Sequence, residues 1–386
     1  MSRSLACVVA LSAGALGADA GAGAINNAPL KLAVLPQPFA DAYGARCLDG
    51  SPPAHYTLVQ DPTRWVIFVE GGGWCFSPQS CAERALGGGG SSSHLAASMV
   101  VGGLLSPNAT RNPRFFNYSF AFLHYCDGSS HSSNMSAPVP VTPPVKNVTR
   151  VWSRGRPNLA AQIDYLITVE GAAAAAEVIV SGGSAGGLSV FLGLDFVAAR
   201  FPRSARVVGA PDAGFFIDAP MFNSTDLAFG DALAAADAST YGAVAAGSLA
   251  PACVAAHGAR CLTADHAAPY VATPWHSMMA AFDLASIDLI LFLGCLPPAC
   301  GAAQLGALRA WRPRFLAALL AAVDTFPGNG AYVDSCLVHE QNVVRLTRTT
   351  LRPRAAPATA TLTTLTPNPS RAPHPKPGLL FDTSCS

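Results

Sequence analysis

The β-branched run Val178-Ile179-Val180-Ser181 leads straight into Gly182-Gly183-Ser184-Ala185-Gly186. An apolar run of this kind reads as a buried strand, and the apolar segment at residues 188–201 has the length of a helix. Strand, glycine-flanked serine and helix together satisfy the G-x-S-x-G pattern of a nucleophile elbow. The glycines have a physical task there. A serine in a strained turn exposes its hydroxyl only if its neighbours are small enough for strand and helix to approach. The bland alternative is a Gly-rich strand-to-helix turn, and a chain with 35 glycines supplies many such turns. The flanking strand and helix favour the catalytic reading.

The other elements predict the same fold class. Residues 64–70, 120–125, 205–210, 276–282 and 331–338 read as strands, and 158–169 and 311–326 as helices. Strands alternating with helices predict a mostly parallel sheet with helices on both faces; a nucleophile elbow in that setting suits an α/β-hydrolase-like fold. A chain of 386 residues with 51% hydrophobic content is large enough for such a core. Its net charge of +1, with no basic run, argues against a nucleic-acid partner.

The beginning of the chain reads as a secretory signal. Arg3 precedes the apolar residues 5–16, and Ala18-Asp19-Ala20 resembles a cleavage site. No other segment is long and apolar enough to span a bilayer. Cysteine usage agrees with an oxidising compartment. Beyond Cys7, the pairs Cys75/Cys81, Cys253/Cys261 and Cys295/Cys300 suit local disulfide staples. No His stands near them in a zinc pattern, so neither a metal nor an organic cofactor is expected. Sequons begin at Asn108, Asn117, Asn134, Asn147 and Asn223, and their clustering predicts an exposed, loop-rich region. The organisation is then a signal peptide at 1–20, a folded α/β domain at 21–351 and a Pro/Thr-rich tail at 352–386.

A serine nucleophile needs a base, and the base needs an orienting carboxylate. In the hydrolase order these follow the serine as acid, then histidine. His339 ends the last strand candidate and is the best base. His257 and His266 lie among cysteines, His276 begins a strand and His374 lies in the tail. Asp283, directly after an apolar run, is the best acid. Asp212 also ends a strand and is second, while Asp288 and Asp334 fall inside apolar segments. The developing oxyanion needs backbone N–H groups. Ala185, after the nucleophile, supplies one, and the Gly71-Gly72-Gly73-Trp74 loop is placed to supply others.

Several stretches together resemble the pectin acetylesterase family, which also contains the Notum carboxylesterases. They are Cys47-Leu48-Asp49-Gly50-Ser51, Glu70-Gly71-Gly72-Gly73-Trp74-Cys75, Asn112-Pro113 and Tyr125-Cys126-Asp127-Gly128-Ser129. Residues 181–187, Asp212-Ala213-Gly214-Phe215-Phe216 and Ser335-Cys336-Leu337-Val338-His339 complete the set, in the family's order across about residues 47–342. The resemblance implies an extracellular Ser-His-Asp esterase with Ser184 as nucleophile, His339 as base, Asp283 as acid, and Gly73, Trp74 and Ala185 as oxyanion donors. It implies an acetylated, pectin-like cell-wall polysaccharide as substrate, or alternatively a fatty-acylated protein or lipid, as for Notum. A third reading is a non-catalytic binding protein on a degenerate hydrolase fold.

The chain departs from the family pattern in three places. Leu284-Ala285-Ser286 replaces the usual residues after the acid, and the family's C-terminal region is not recognisable beyond about Leu351. Gly183 stands where many plant members have Cys; both are small, so little is expected to turn on it.

Overall fold

The computed structural model describes residues 28–224, 227–342 and 379–382. Ten strands form one mixed sheet. In chain order the strands are β1 (Leu30–Val34), β2 (Ala54–Leu58), β3 (Arg64–Val69), β4 (Ser98–Met99), β5 (Ser119–Leu123), β6 (Val139–Val145), β7 (Val148–Val151), β8 (Glu177–Gly183), β9 (Arg206–Asp212), β10 (His276–Ala280), β11 (Gly330–Asp334) and β12 (Leu379–Asp382). The sheet order is β12-β11-β10-β9-β8-β3-β5-β2-β1-β4, and β6 and β7 pair separately as a hairpin. From β12 to β5 every pairing is parallel, while β2, β1 and β4 add an antiparallel edge.

Alternation along the central strands sorts side chains between two cores, as the period of two requires. On β3, Trp65, Ile67 and Val69 enter the larger core, while Val66 and Phe68 enter the smaller one. The Gly155–Thr168, Ala185–Ala198 and Ala302–Val323 helices pack into the larger core through residues such as Leu159, Leu188 and Phe315. Fully burying each such side chain stabilises the fold by about 1.5–3 kcal/mol.

Boundaries differ from the sequence reading where a run of apolar residues does not coincide with pairing. The last strand candidate ends at Asp334 and not at residue 338, because Ser335 to Val338 leave the sheet as a loop. The helix expected at 311–326 begins nine residues earlier, at Ala302, and continues through Pro313. The antiparallel strands β1 and β2 were not anticipated at all. The proposed signal at 1–20 and most of the 352–386 tail lie outside the described residues, but Leu379–Asp382 pair in parallel with β11. That part of the tail segment is thus an edge strand of the sheet.

All three local cysteine pairs are disulfides, and Cys47–Cys126 is a fourth, joining residues 79 apart. Among the described residues no helix is long and apolar enough to cross a membrane. The sequons are not uniformly exposed. Asn108 is buried, with its Oδ1 accepting from Thr110 N, and Asn134 Oδ1 accepts from Arg154. Asn147, in the β6–β7 turn, and Asn223 are exposed.

Candidate active site

The parallel strands bring their C-terminal ends together at one edge of the sheet, where ligand sites of α/β folds form. Ser184 follows β8 with φ 55° and ψ −124°, and the Ala185–Ala198 helix starts at the next residue. A non-glycine residue in this region costs about 1–3 kcal/mol and persists only where its surroundings dictate it. Here they do. Ser184 N–H donates to Asp212 O at 3.0 Å. A Cβ on Gly186 would lie 2.1 Å from Val69 O, so strand β3 presses directly on the first turn of the helix.

The Gly71–Trp74 loop leaves β3 and lies against this turn. A Cβ on Gly71 would lie 2.2 Å from Gly183 O and 2.9 Å from Ser184 Cβ, which makes glycine a condition of the contact. The loop's carbonyls are tied away from the serine. Gly72 O accepts from Arg84 Nη1 at 2.7 Å, Gly73 O from the Tyr125 hydroxyl at 3.0 Å, and Cys75 O from the Tyr241 hydroxyl at 2.8 Å. Both tyrosines are buried, and burial raises their pKa, so they stay donors. Among the described residues no acceptor engages the backbone N–H of Gly73, Trp74 or Ala185. Cys75–Cys81 fastens the loop to the Pro78–Ala85 helix. The Tyr125-Cys126-Asp127-Gly128-Ser129 motif thus has a loop-holding function that its sequence did not reveal.

His339 and Asp283 come together from the loops after β11 and β10. His339 Nδ1 and Asp283 Oδ1 are 2.6 Å apart. The carboxylate accepts at Nδ1, which leaves Nε2 as the face available for accepting a proton. Asp283 is 1% exposed, and its other oxygen accepts from Ser286 N at 2.8 Å and Ser286 Oγ at 2.9 Å. Ser286 belongs to the run that departs from the family pattern, so the divergent sequence still furnishes the acid with two donors. Burial pulls the His339 pKa down, but the Asp283 hydrogen bond and charge, helped by Glu340 and Asp212, outweigh it and hold it above the usual value.

Asp212, the second-ranked acid, does a different job. Its carboxylate accepts from Gln341 N at 2.9 Å and Asn342 N at 2.7 Å, which anchors the segment following His339. The remaining candidates lie elsewhere. His257 meets His266 edge to face, His276 begins β10, Asp288 is exposed, Asp334 Oδ1 accepts from Cys336 N, and His374 falls outside the described residues.

Glu340 joins the histidine loop to the elbow. A Cβ on Gly183 would meet Glu340 Oε1 at 2.6 Å. A side chain at 183 would shift only the far end of the flexible Glu340 side chain. Burial raises the Glu340 pKa; His339 opposes that rise, and Asp212, Asp283 and Glu70 add to it. Ser184 Oγ makes no hydrogen bond among the described residues, to His339 or to any other group. The residues are gathered with the Ser–His contact open, a common condition in an unliganded site.

The pectinacetylesterase family profile matches residues 25–363. The chain belongs to the pectinacetylesterase family. It is a carboxylic-ester hydrolase of that family. Pectin acetylesterase 5 of Arabidopsis thaliana is 31% identical over 325 residues, covering 79% of this chain and 72% of the relative. Pectin acetylesterase 7 of the same plant is also 31% identical, covering 83% and 81%. The palmitoleoyl-protein carboxylesterase NOTUM of Schmidtea mediterranea is 27% identical over 49% of this chain and 36% of its own. Among solved structures, the Wnt deacylase Notum from Drosophila superposes with a TM-score of 0.68 at 24% identity, covering 82% of this chain and 87% of that one. That likeness establishes the α/β-hydrolase-like fold.

Proposed function

We propose that the protein is a secreted serine esterase that removes O-acetyl groups from a pectin-like polysaccharide through Ser184, His339 and Asp283. The observation that carries the mechanism is the His339–Asp283 pair, closed at 2.6 Å and joined through Glu340 to the strained turn bearing Ser184. The substrate reading is supported by the 31% identity to pectin acetylesterases over most of the chain. Four disulfides among the described residues support the secretory route.

In this mechanism Ser184 Oγ attacks the ester carbonyl carbon and passes its proton to His339 Nε2. Asp283 holds the imidazole and stabilises the imidazolium. The N–H groups of Gly73, Trp74 and Ala185 bind the negative oxygen; loss of one such donor costs roughly 10²–10³ in rate. Collapse expels the sugar oxygen as an alkoxide, which takes the proton from His339 and leaves as the alcohol. Water, deprotonated by His339, then cleaves the acetyl-serine and releases acetate.

A second reading, removal of a long acyl chain, is supported by the palmitoleoyl-protein carboxylesterase relative, 27% identical over 49% of this chain. Hydrolysis of p-nitrophenyl acetate and octanoate by the protein and by Ser184→Ala separates the two. The acetylesterase reading expects acetate to be preferred and the variant to be inactive. Octanoate preference would establish the second reading, and full activity of the variant would remove Ser184 from the mechanism.

A further inference from the structure

A chamber of about 340 Å³ opens beside the Gly71–Trp74 loop, lined by Glu70, Gly71, Gly72, Arg84, His124 and Tyr125 among others. Its position is tied to the reacting centre, because Gly71 is in contact with the Ser184 turn. The volume lies within the range of small-molecule sites. The lining is mixed: Glu70, Arg84 and His124 bring charged and titratable groups, four glycines bring peptide groups, and Leu95 and the Tyr125 ring bring apolar surface. A sugar, with polar hydroxyls and an apolar ring face, fits such a lining by character.

The charges in the chamber are unequally engaged. Glu70 Oε2 lies 2.7 Å from His124 Nδ1 and accepts from Tyr125 N at 3.1 Å. His124 Nε2 in turn faces Ser91 O at 3.1 Å. Arg84 has no carboxylate partner among the described residues. Its Nε donates to Gly89 O and its Nη1 to Gly72 O, both at 2.7 Å, and its guanidinium lies 4.9 Å over the Tyr125 ring. The helix carrying it is itself fixed, by Pro78 in its first turn and a reciprocal Ser77–Ser80 capping box. Nη2 makes no hydrogen bond among the described residues. A guanidinium held rigid on two of its nitrogens, with a third open, is preorganised for a carboxylate.

We propose that this chamber binds the sugar on the alcohol side of the scissile ester, and that Arg84 Nη2 selects an acid sugar by bonding its ring carboxylate. The assignment rests on the polysaccharide deacetylation proposed above and adds a specificity-determining residue to it.

The test compares acetate release from acetylated polygalacturonate and from the same polymer after reduction of its carboxyl groups, for the protein, Arg84→Lys and Arg84→Gln. Inhibition of p-nitrophenyl acetate hydrolysis by trigalacturonate and by its carboxyl-reduced form gives an independent measure of binding. The protein should favour the acid polymer about tenfold, the scale of one charge-assisted hydrogen bond. Arg84→Gln should bring the acid-to-neutral ratio close to one and abolish selective inhibition by trigalacturonate, and Arg84→Lys should retain part of both. Equal activity on the two polymers in the unaltered protein would overturn the Arg84 assignment while leaving the deacetylase reading intact. So would a proportional loss on all substrates in Arg84→Gln, since that marks a role only in holding Gly72. Ser184-dependent cleavage of p-nitrophenyl acetate with no release from either polymer would overturn both readings.

Discussion

The two sides of the Gly71–Trp74 loop differ in how far they are closed. On one, Trp74 meets Phe216 and Phe229 edge to face, and both phenylalanines are fully buried. On the other, Arg84, Glu70, His124, Tyr125 and Leu95 line an open chamber. Between them Gly71 packs on the Ser184 turn. The contrast teaches how one short glycine-rich segment is held in place: a sealed aromatic cluster fixes one side, while hydrogen bonds from Arg84 and Tyr125 fix the side that borders open space.

Variants at the shared machinery should be blind to this division. Asp283→Asn removes the acceptor that fixes the His339 tautomer and should lower kcat by roughly 10⁴ for every ester. Steady-state kinetics on acetate and octanoate esters checks this; a loss that depends on acyl length would mean that the two sides are not separable from the triad. Ser286→Ala removes one of the two hydrogen bonds to Asp283 Oδ2 and should cost about tenfold in kcat/KM, again on all esters. Phe229→Leu acts on the closed side only. It leaves a cavity in the buried aromatic cluster and should lower stability by about 1 kcal/mol, read as a lower Tm, while discrimination between acid and neutral polymers stays unchanged.

The smallest expected effect is on pH dependence. His339 must be neutral to accept the serine's proton, and its pKa is held above 6.5 by its surroundings. Activity therefore falls as pH drops through that raised value. Glu340 is one of the groups raising it, beside Asp283 and Asp212. Glu340→Gln should shift the acid limb of kcat/KM to lower pH, measured on p-nitrophenyl acetate. An unmoved limb would assign Glu340 a packing role alone. Stability runs the opposite way: the His339 contribution is complete below pH 6.5 and is lost as pH rises through the folded-state value.

What could be read from the sequence follows from how local each constraint is. The Ser184 turn was legible because its strain and its glycine requirement lie within five consecutive residues. His339 and Asp283 were legible because each follows a strand, and the parallel sheet delivers strand ends to one edge. The GGGW loop was legible for the same reason. Arg84, Ser286 and Glu340 were not, since each acts across space on a segment that periodicity does not relate to it. Asn108 is a sequon by its letters, yet it is buried in the fold. The β12 pairing escaped notice because four apolar-rich residues inside a Pro/Thr-rich segment carry no periodic signal of their own.

The most direct test of the central claim is acetate release from acetylated pectin by the protein and by Ser184→Ala. The account predicts stoichiometric acetate from the protein and a loss on the order of 10⁶ in kcat for the variant. Acetate release at an equal rate by both, or none by a folded protein that still cleaves p-nitrophenyl octanoate, would contradict it.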